Sequence, residues 1–135
     1  SGKVYYDLLQ ARREQGVDDV ALVRVEQLYP WPRQTLHDQI VRYPAAELVW
    51  CQEEPANMGA WSYVFPKLVR LNEALGREQL LPIYVGRSEA ASPATGLHKI
   101  HVKEQTALVE RALSPEPLVT VRRNAAKSKV KGKAN

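Results

Sequence analysis

Residues 50 to 61 read WCQEEPANMGAW, two adjacent carboxylates, an amide and a glycine enclosed by tryptophans. Glu53 and Glu54 are the residue type that performs general acid–base work when two carboxyl groups are held at different pKa values. A plainer role competes with that one: acids just ahead of a helix interact with its positive end and its free N–H groups. The plainer role is adopted. It makes Asn57 the N-cap of the following helix and gives Gly59 the task of admitting a close chain approach. Trp50 and Trp61 then act as packing anchors that bracket the turn. Adjacent carboxylates also suit ion pairs across a subunit boundary, where desolvation demands a cation from the other side.

A second loop, RSEAASPATG at 87–96, brings Arg87, Ser88, Ser92 and Thr95 ahead of a helix. Guanidinium and hydroxyl groups beside helical N–H groups make a cradle for a phosphate. Small residues and Pro93 equally make an ordinary tight loop, which is the simpler account. His98 and His101 stand at helical spacing for a metal but lack a third ligand, so no metal site is expected. Cys51 lies in an apolar run and reads as a small core residue; no Cys–His arrangement is legible, and no catalytic residue is assigned. Arg24 and Glu26 interrupt another apolar run, as charges facing an interface do.

Composition limits what these residues can belong to. The chain has 135 residues, 44% of them hydrophobic and 25% charged, which suits one globular domain. No apolar run approaches the roughly 20 residues of a membrane span, and no targeting segment is visible at the start. A single cysteine forms no internal disulfide, so a reducing compartment is expected. The net charge of +4 is concentrated at one end: residues 122–135 carry Arg122, Arg123, Lys127, Lys129, Lys131 and Lys133 without an acid. Removing these six from 19 basic residues leaves 13 against 15 acidic ones, a net of −2. The domain is therefore taken as 1–117, followed by a basic tail, 118–135, with too little apolar content to order itself. Lacking aromatic residues to stack on bases, the tail is not expected to bind nucleic acid.

The elements that must hold the two loops follow from periodicity. Val4, Leu8 and Ala11 recur at helical spacing up to Gly16, a C-terminal cap, so a helix is predicted at about 4–15. VALVRVEQL (20–28) reads as a buried strand, and Pro32 opens a helix carrying Leu36, Ile40 and Tyr43 that Pro44 closes. A strand at 47–52, a helix from 57 or 59 to 75 in which Pro66 is expected to cause a kink or mark the true start, and a strand at 81–86 come next. A final helix, 99–113, carries Val102, Thr106, Val109 and Leu113 along one face. Alternation of this kind predicts an α/β fold of three layers, a mainly parallel sheet with helices on both faces, with ligands beyond the carboxyl ends of the strands. Both unusual loops lie at that edge. The first helix, preceded only by Ser-Gly-Lys, looks like the second half of a βα unit whose strand is missing.

EQLYPWP, VWCQEEPANMGAW, YVGRSEAASPATG with HVKEQ, and the opening SGKVYYDL resemble, in that order, the carboxyl-terminal region of 2-oxoglutarate dehydrogenase E1 components. The resemblance covers residues 1 to about 113. It implies a transketolase-type C-terminal domain that packs on thiamine-binding domains and helps build a homodimer. It further implies oxidative decarboxylation of 2-oxoglutarate on thiamine diphosphate and Mg²⁺, with the succinyl group passed to a lipoyl arm of E2 in a complex with E3. The family's Gly-Asp-Gly motif does not occur here, so the cofactor is expected to bind outside this chain. The resemblance also makes a nucleotide or acyl-CoA regulator an occupant for the Arg87 cradle. The alternative is a free-standing α/β binding module, an adaptor or anion sensor without catalysis. If the cradle operates, Arg87→Ala weakens nucleotide or CoA binding by more than about tenfold, the scale of one charge-assisted contact; unchanged titration calorimetry would remove it.

Overall fold

The structure is a computed structural model that describes residues 2–92, 94 and 96–115. The expected domain limit at 117 and the basic tail 118–135 lie outside the described residues, as does Thr95. Among the described residues six elements follow one another: α1 (Lys3–Glu14), α2 (Arg33–Ile40), β1 (Val49–Pro55), α3 (Trp61–Ala74), β2 (Ile83–Arg87) and α4 (His98–Ala112). β1 and β2 run parallel, with Val49, Trp50 and Cys51 opposite Ile83, Tyr84 and Val85, and α3 is the crossover between them.

The sheet is two strands wide with helices on both faces, because side chains of a strand point alternately to either side. Trp50 and Tyr84 face α2 and α3, packing with Leu36, Ile40, Val64 and Leu68. Val49, Cys51, Ile83 and Val85 face the opposite layer, where Val4 and Leu8 of α1 meet Leu108 and Leu113 at the end of α4. The expectation of an α/β fold with a parallel sheet is met. The expectation of a strand at 20–28 is not: that segment pairs with nothing among the described residues. Its side chains nonetheless alternate as a strand's do, Val20 and Leu22 toward α1 and α4, Val25 toward α2 and α3. Between it and residues 46–51 lies a cavity of about 630 Å³.

Helix ends follow their sequence signals in two places. At α1, Gly16 N–H donates to Arg13 and Val17 N–H to Arg12; at α3, Gly76 donates to Glu73 and Arg77 to Asn72. These are the paired bonds of a Schellman ending, with each glycine at positive φ. α3 begins at Trp61 and passes through Pro66, which is therefore not its start; the bond lost is the one to the carbonyl of Ser62, an exposed residue. α2 stops at Ile40, so Tyr43 lies beyond the helix and is exposed. Arg77, from the end of α3, reaches the carbonyls of Tyr43 and Ala46 and fixes the passage into β1.

The predicted face of α4 is met at Val109, which packs on the core, and at Leu113, which is buried just past the helix. Val102 and Thr106 are instead exposed, and Gln105, Leu108 and Ala112 point inward beside Val109. The polar Gln105 in that stripe disguised its first half. The Gln105 Nε2 donates to Asp7 Oδ2 (2.8 Å) on α1 and to Glu53 Oε1 (2.9 Å) on β1, tying three elements. Lys3 Nζ completes the group at 2.7 Å from Asp7 Oδ2. Burial pushes the Asp7 carboxyl upward, but the bonds from Lys3 and Gln105, with His101 nearby, hold it below the ordinary carboxylate range. A depressed folded-state pKa gives stability that is complete above the unfolded value and lost as pH falls through the folded one. Asp7→Asn should therefore lower stability at pH 7 by up to about 1 kcal/mol, as exposed pairs do. The difference from the parent should close below about pH 3, under the unfolded carboxylate value, as read from urea midpoints at the two pH values.

Candidate functional site at the strand ends

β1 does not simply stop. Its register against β2 shifts between Cys51 and Pro55, the latter opposite Arg87, so the strand carries extra residues there. The irregularity turns the carbonyls of Glu54 and Pro55 toward the side chain of Gln52, which is 3% exposed. Gln52 Nε2 donates to the carbonyls of Met58 (2.8 Å), Pro55 (3.2 Å) and Glu54 (3.3 Å), while its Oε1 accepts from Trp50 Nε1 at 2.9 Å. One primary amide thus satisfies a strand, a turn and an indole. The Tyr84 hydroxyl, from β2, lies 2.9 Å from the carbonyls of both Glu54 and Arg87. Burial raises its pKa, so the hydroxyl stays protonated and available as a donor.

Gly59 has φ +67°, and a Cβ there would stand 3.0 Å from both Gln52 Nε2 and Glu54 Cβ. Glycine therefore answers two demands at once, a left-handed turn and contact with the Gln52 amide. Trp61 opens α3 with its ring 5.3 Å from Tyr84 and 5.1 Å from Phe65. Trp50, nearly buried, sits in the layer beneath it.

Two expectations for this loop are corrected. Asn57 is not the N-cap: α3 begins at Trp61, after Ala60, and has no side-chain cap. The Asn57 side chain reaches the other loop instead, its Nδ2 donating to the Ala90 carbonyl at 2.9 Å and its Oδ1 accepting from the Ala90 N–H at 3.1 Å. Glu53 does not face the start of α3 either; it bonds Gln105 on α4. Residue alternation explains this, since positions 52 and 53 must point to opposite faces of the strand. Glu54 is exposed, and its carbonyl is what the site uses.

The second loop converges on the first through Asn57, as their shared position beyond the strand ends required. Arg87 Nε lies 2.9 Å from Glu104 Oε2 on α4, so this guanidinium faces a carboxylate. Ser88 is exposed, and Ser92 Oγ donates to the Ala94 carbonyl. His98 and His101 are exposed on α4. The Cys51 thiol is pushed up to about 11 by burial, which keeps it protonated and unreactive. Arg24 pairs with Glu26 at 2.7 Å and stacks over Tyr5 and Tyr6. Sequence reasoning passed over Gln52 and Tyr84. The signal for Gln52 was a primary amide two residues after a tryptophan inside an apolar strand, where burial obliges it to bond.

The donor set does not fit a diphosphate–metal cofactor. The amides of Gln52 and Asn57 are engaged with backbone groups, and the described residues contain no cluster of three His, Cys, Asp or Glu side chains able to hold a metal.

Fold and site together define a layered α/β domain whose strand-end polar groups bond its own chain. This chain belongs to the 2-oxoglutarate dehydrogenase C-terminal family, which it matches over residues 1–113. It is 50% identical over 113 residues to the 2-oxoglutarate dehydrogenase E1 components of Brucella anthropi, Brucella ovis and Brucella melitensis biotype 2. Those matches cover 84% of this chain and 11% of each relative's length.

Gln52→Leu should destabilise the domain by about 2–4 kcal/mol, since it strands a buried indole N–H and several carbonyls. Trp50→Phe, which removes one donor and leaves Gln52 in place, should cost about 1 kcal/mol. Denaturant unfolding of both variants measures the order.

Proposed function

We propose that this chain is the C-terminal portion of a 2-oxoglutarate dehydrogenase E1 component and that its own task is scaffolding. In this reading the domain is of the transketolase C-terminal type and packs against thiamine-binding domains of the same polypeptide and against a homodimer partner. The complete enzyme oxidatively decarboxylates 2-oxoglutarate with thiamine diphosphate and Mg²⁺, held by residues outside this chain. It hands the succinyl group to the lipoyl arm of E2, in a complex with E3, in a bacterial cytoplasm or mitochondrial matrix. The cofactor supplies the electron sink for decarboxylation; a protein domain apart from it contributes orientation.

The observation that carries the scaffolding role is the self-bonding of the strand-end loops. Gln52, Asn57 and Tyr84 all direct their polar atoms at backbone groups of the same chain, which fixes a shape and presents no reactive group. A nucleotide or acyl-CoA at Arg87 would have to compete with Glu104, so regulation through that residue is the weaker reading.

The test is Asn57→Ala in a full-length E1 chain. Loss of the two bonds to Ala90 should lower the midpoint of thermal inactivation by several degrees, about 1–3 kcal/mol for a severed pair, with KM for 2-oxoglutarate unchanged. A selective change in KM or kcat at unchanged thermal stability would put the loop in the reaction centre and overturn the scaffold reading.

A further inference from the structure

Residues 28–33 and the outer face of α3 form an aromatic shelf whose charges are all positive. Tyr29 is 86% exposed, so no part of the described chain covers it. Two residues on, Trp31 meets Tyr63 of α3 edge to face with ring centres 6.5 Å apart, and the Tyr63 hydroxyl donates to the Leu28 carbonyl at 3.0 Å. Loop and helix are thereby fixed to each other. Lys67 Nζ stands 4.6 Å from the Tyr63 ring centre and 6.0 Å from that of Trp31, so one cation caps both rings. Tyr63, Lys67 and Arg70 recur at steps of four and three and share one face of α3, while Arg33 follows Trp31 at the start of α2. Arg33 and Arg70 are exposed, and neither makes an ion pair among the described residues. No acid occurs in residues 27–37 or 61–72; Glu73 stands one turn past Arg70, and Asp38 is engaged by His37 and Gln34. These cations stand in a chain that, apart from residues 122–135, carries 13 basic against 15 acidic residues, a net of −2.

We propose that this shelf docks an acidic segment of a second, different polypeptide, whose carboxylates meet Arg33 and Arg70 while an apolar side chain covers Tyr29. Tyrosine, tryptophan and arginine are the side chains in which interfaces concentrate their binding energy. The partner's charge follows from the shelf's: cations with no facing carboxylate repel a basic surface and give charge-assisted hydrogen bonds to an acidic one. Single-stranded nucleic acid fits less well, because Lys67 already takes one face of the Trp31 and Tyr63 rings on which bases would stack, and the surrounding domain is acidic. A second copy of this chain also fits less well, since a permanent homodimer seam is rich in aliphatic side chains and this shelf offers rings and charges. Such a surface suits a partner that binds and leaves. The shelf exists whatever reaction the longer relatives catalyse, so its test is independent of the dehydrogenase reading.

The experiment places the photo-crosslinker p-benzoylphenylalanine at Tyr29 of the complete polypeptide in its own cells and identifies the joined peptide by mass spectrometry. An acidic peptide with apolar residues, from a different protein, is the expected product; the same probe at Val41, exposed at the other end of α2, should not capture it. Made synthetically, that peptide should bind the parent and lose affinity by more than about tenfold with Arg33→Glu and again with Arg70→Glu, the scale of one charge-assisted contact each. Where a glutamate variant does not fold, Arg33→Gln and Arg70→Gln give the same readout. Raising salt from about 50 to about 200 mM should weaken the complex as well. A product from the same polypeptide or from a second copy of it, a basic peptide, or no product overturns the docking surface. Displacement of the peptide by an oligothymidine of about 20 nucleotides would make nucleic acid the ligand and overturns it equally.

Discussion

The geometry of the strand-end region depends on one buried amide. Gln52 sits in a layer of aromatic and aliphatic side chains where an unsatisfied polar group is costly, yet it bonds Trp50 and three carbonyls of the irregular turn that follows. The turn leaves its carbonyls without ladder partners because β1 slips in register before Pro55. The side chain replaces the ladder. Everything nearby adapts to that: Gly59 must lack a Cβ, and the Tyr84 hydroxyl shares the Glu54 carbonyl with Gln52 and reaches the Arg87 carbonyl besides.

The two layers flanking the sheet are held differently. On the α2 and α3 side the contacts are aromatic and aliphatic, with Trp50, Trp61 and Tyr84 in succession. On the α1 and α4 side a hydrophobic patch around Val85 is supplemented by the polar group of Lys3, Asp7, Glu53 and Gln105. Asp7 makes that polar group sensitive to pH. Part of the first helix's attachment is thus electrostatic, and salt will weaken it more than it weakens the opposite face.

Much of the fold was legible in the sequence because it rests on local rules. Gly16 and Gly76 mark the ends of α1 and α3, and apolar spacing located the four helices of the described residues. The alternation of 20–28 was read correctly as two-sided packing, but pairing depends on a neighbour across the sheet, which periodicity does not report. Boundaries at the strand end failed for a related reason. Asn57 has the composition of an N-cap, and its actual partner, Ala90, is 33 residues away. The inward stripe of α4 was legible at Val109 and Leu113 but not at Gln105, which is polar; only the three-dimensional arrangement brings Asp7 and Glu53 to it. The resemblance to the E1 family came from long motifs, which carry more information than any single contact.

The reciprocal bonding of Asn57 with Ala90 has a mechanical meaning. A side-chain amide offering one donor and one acceptor to a distant backbone reproduces a single rung of a β-ladder between two segments that have no regular structure. The loop leading into α3 and the one leading into α4 are thereby joined at one point. A displacement applied to either loop is transmitted to the other across 33 residues of chain, and sliding between them must break both bonds of the rung together.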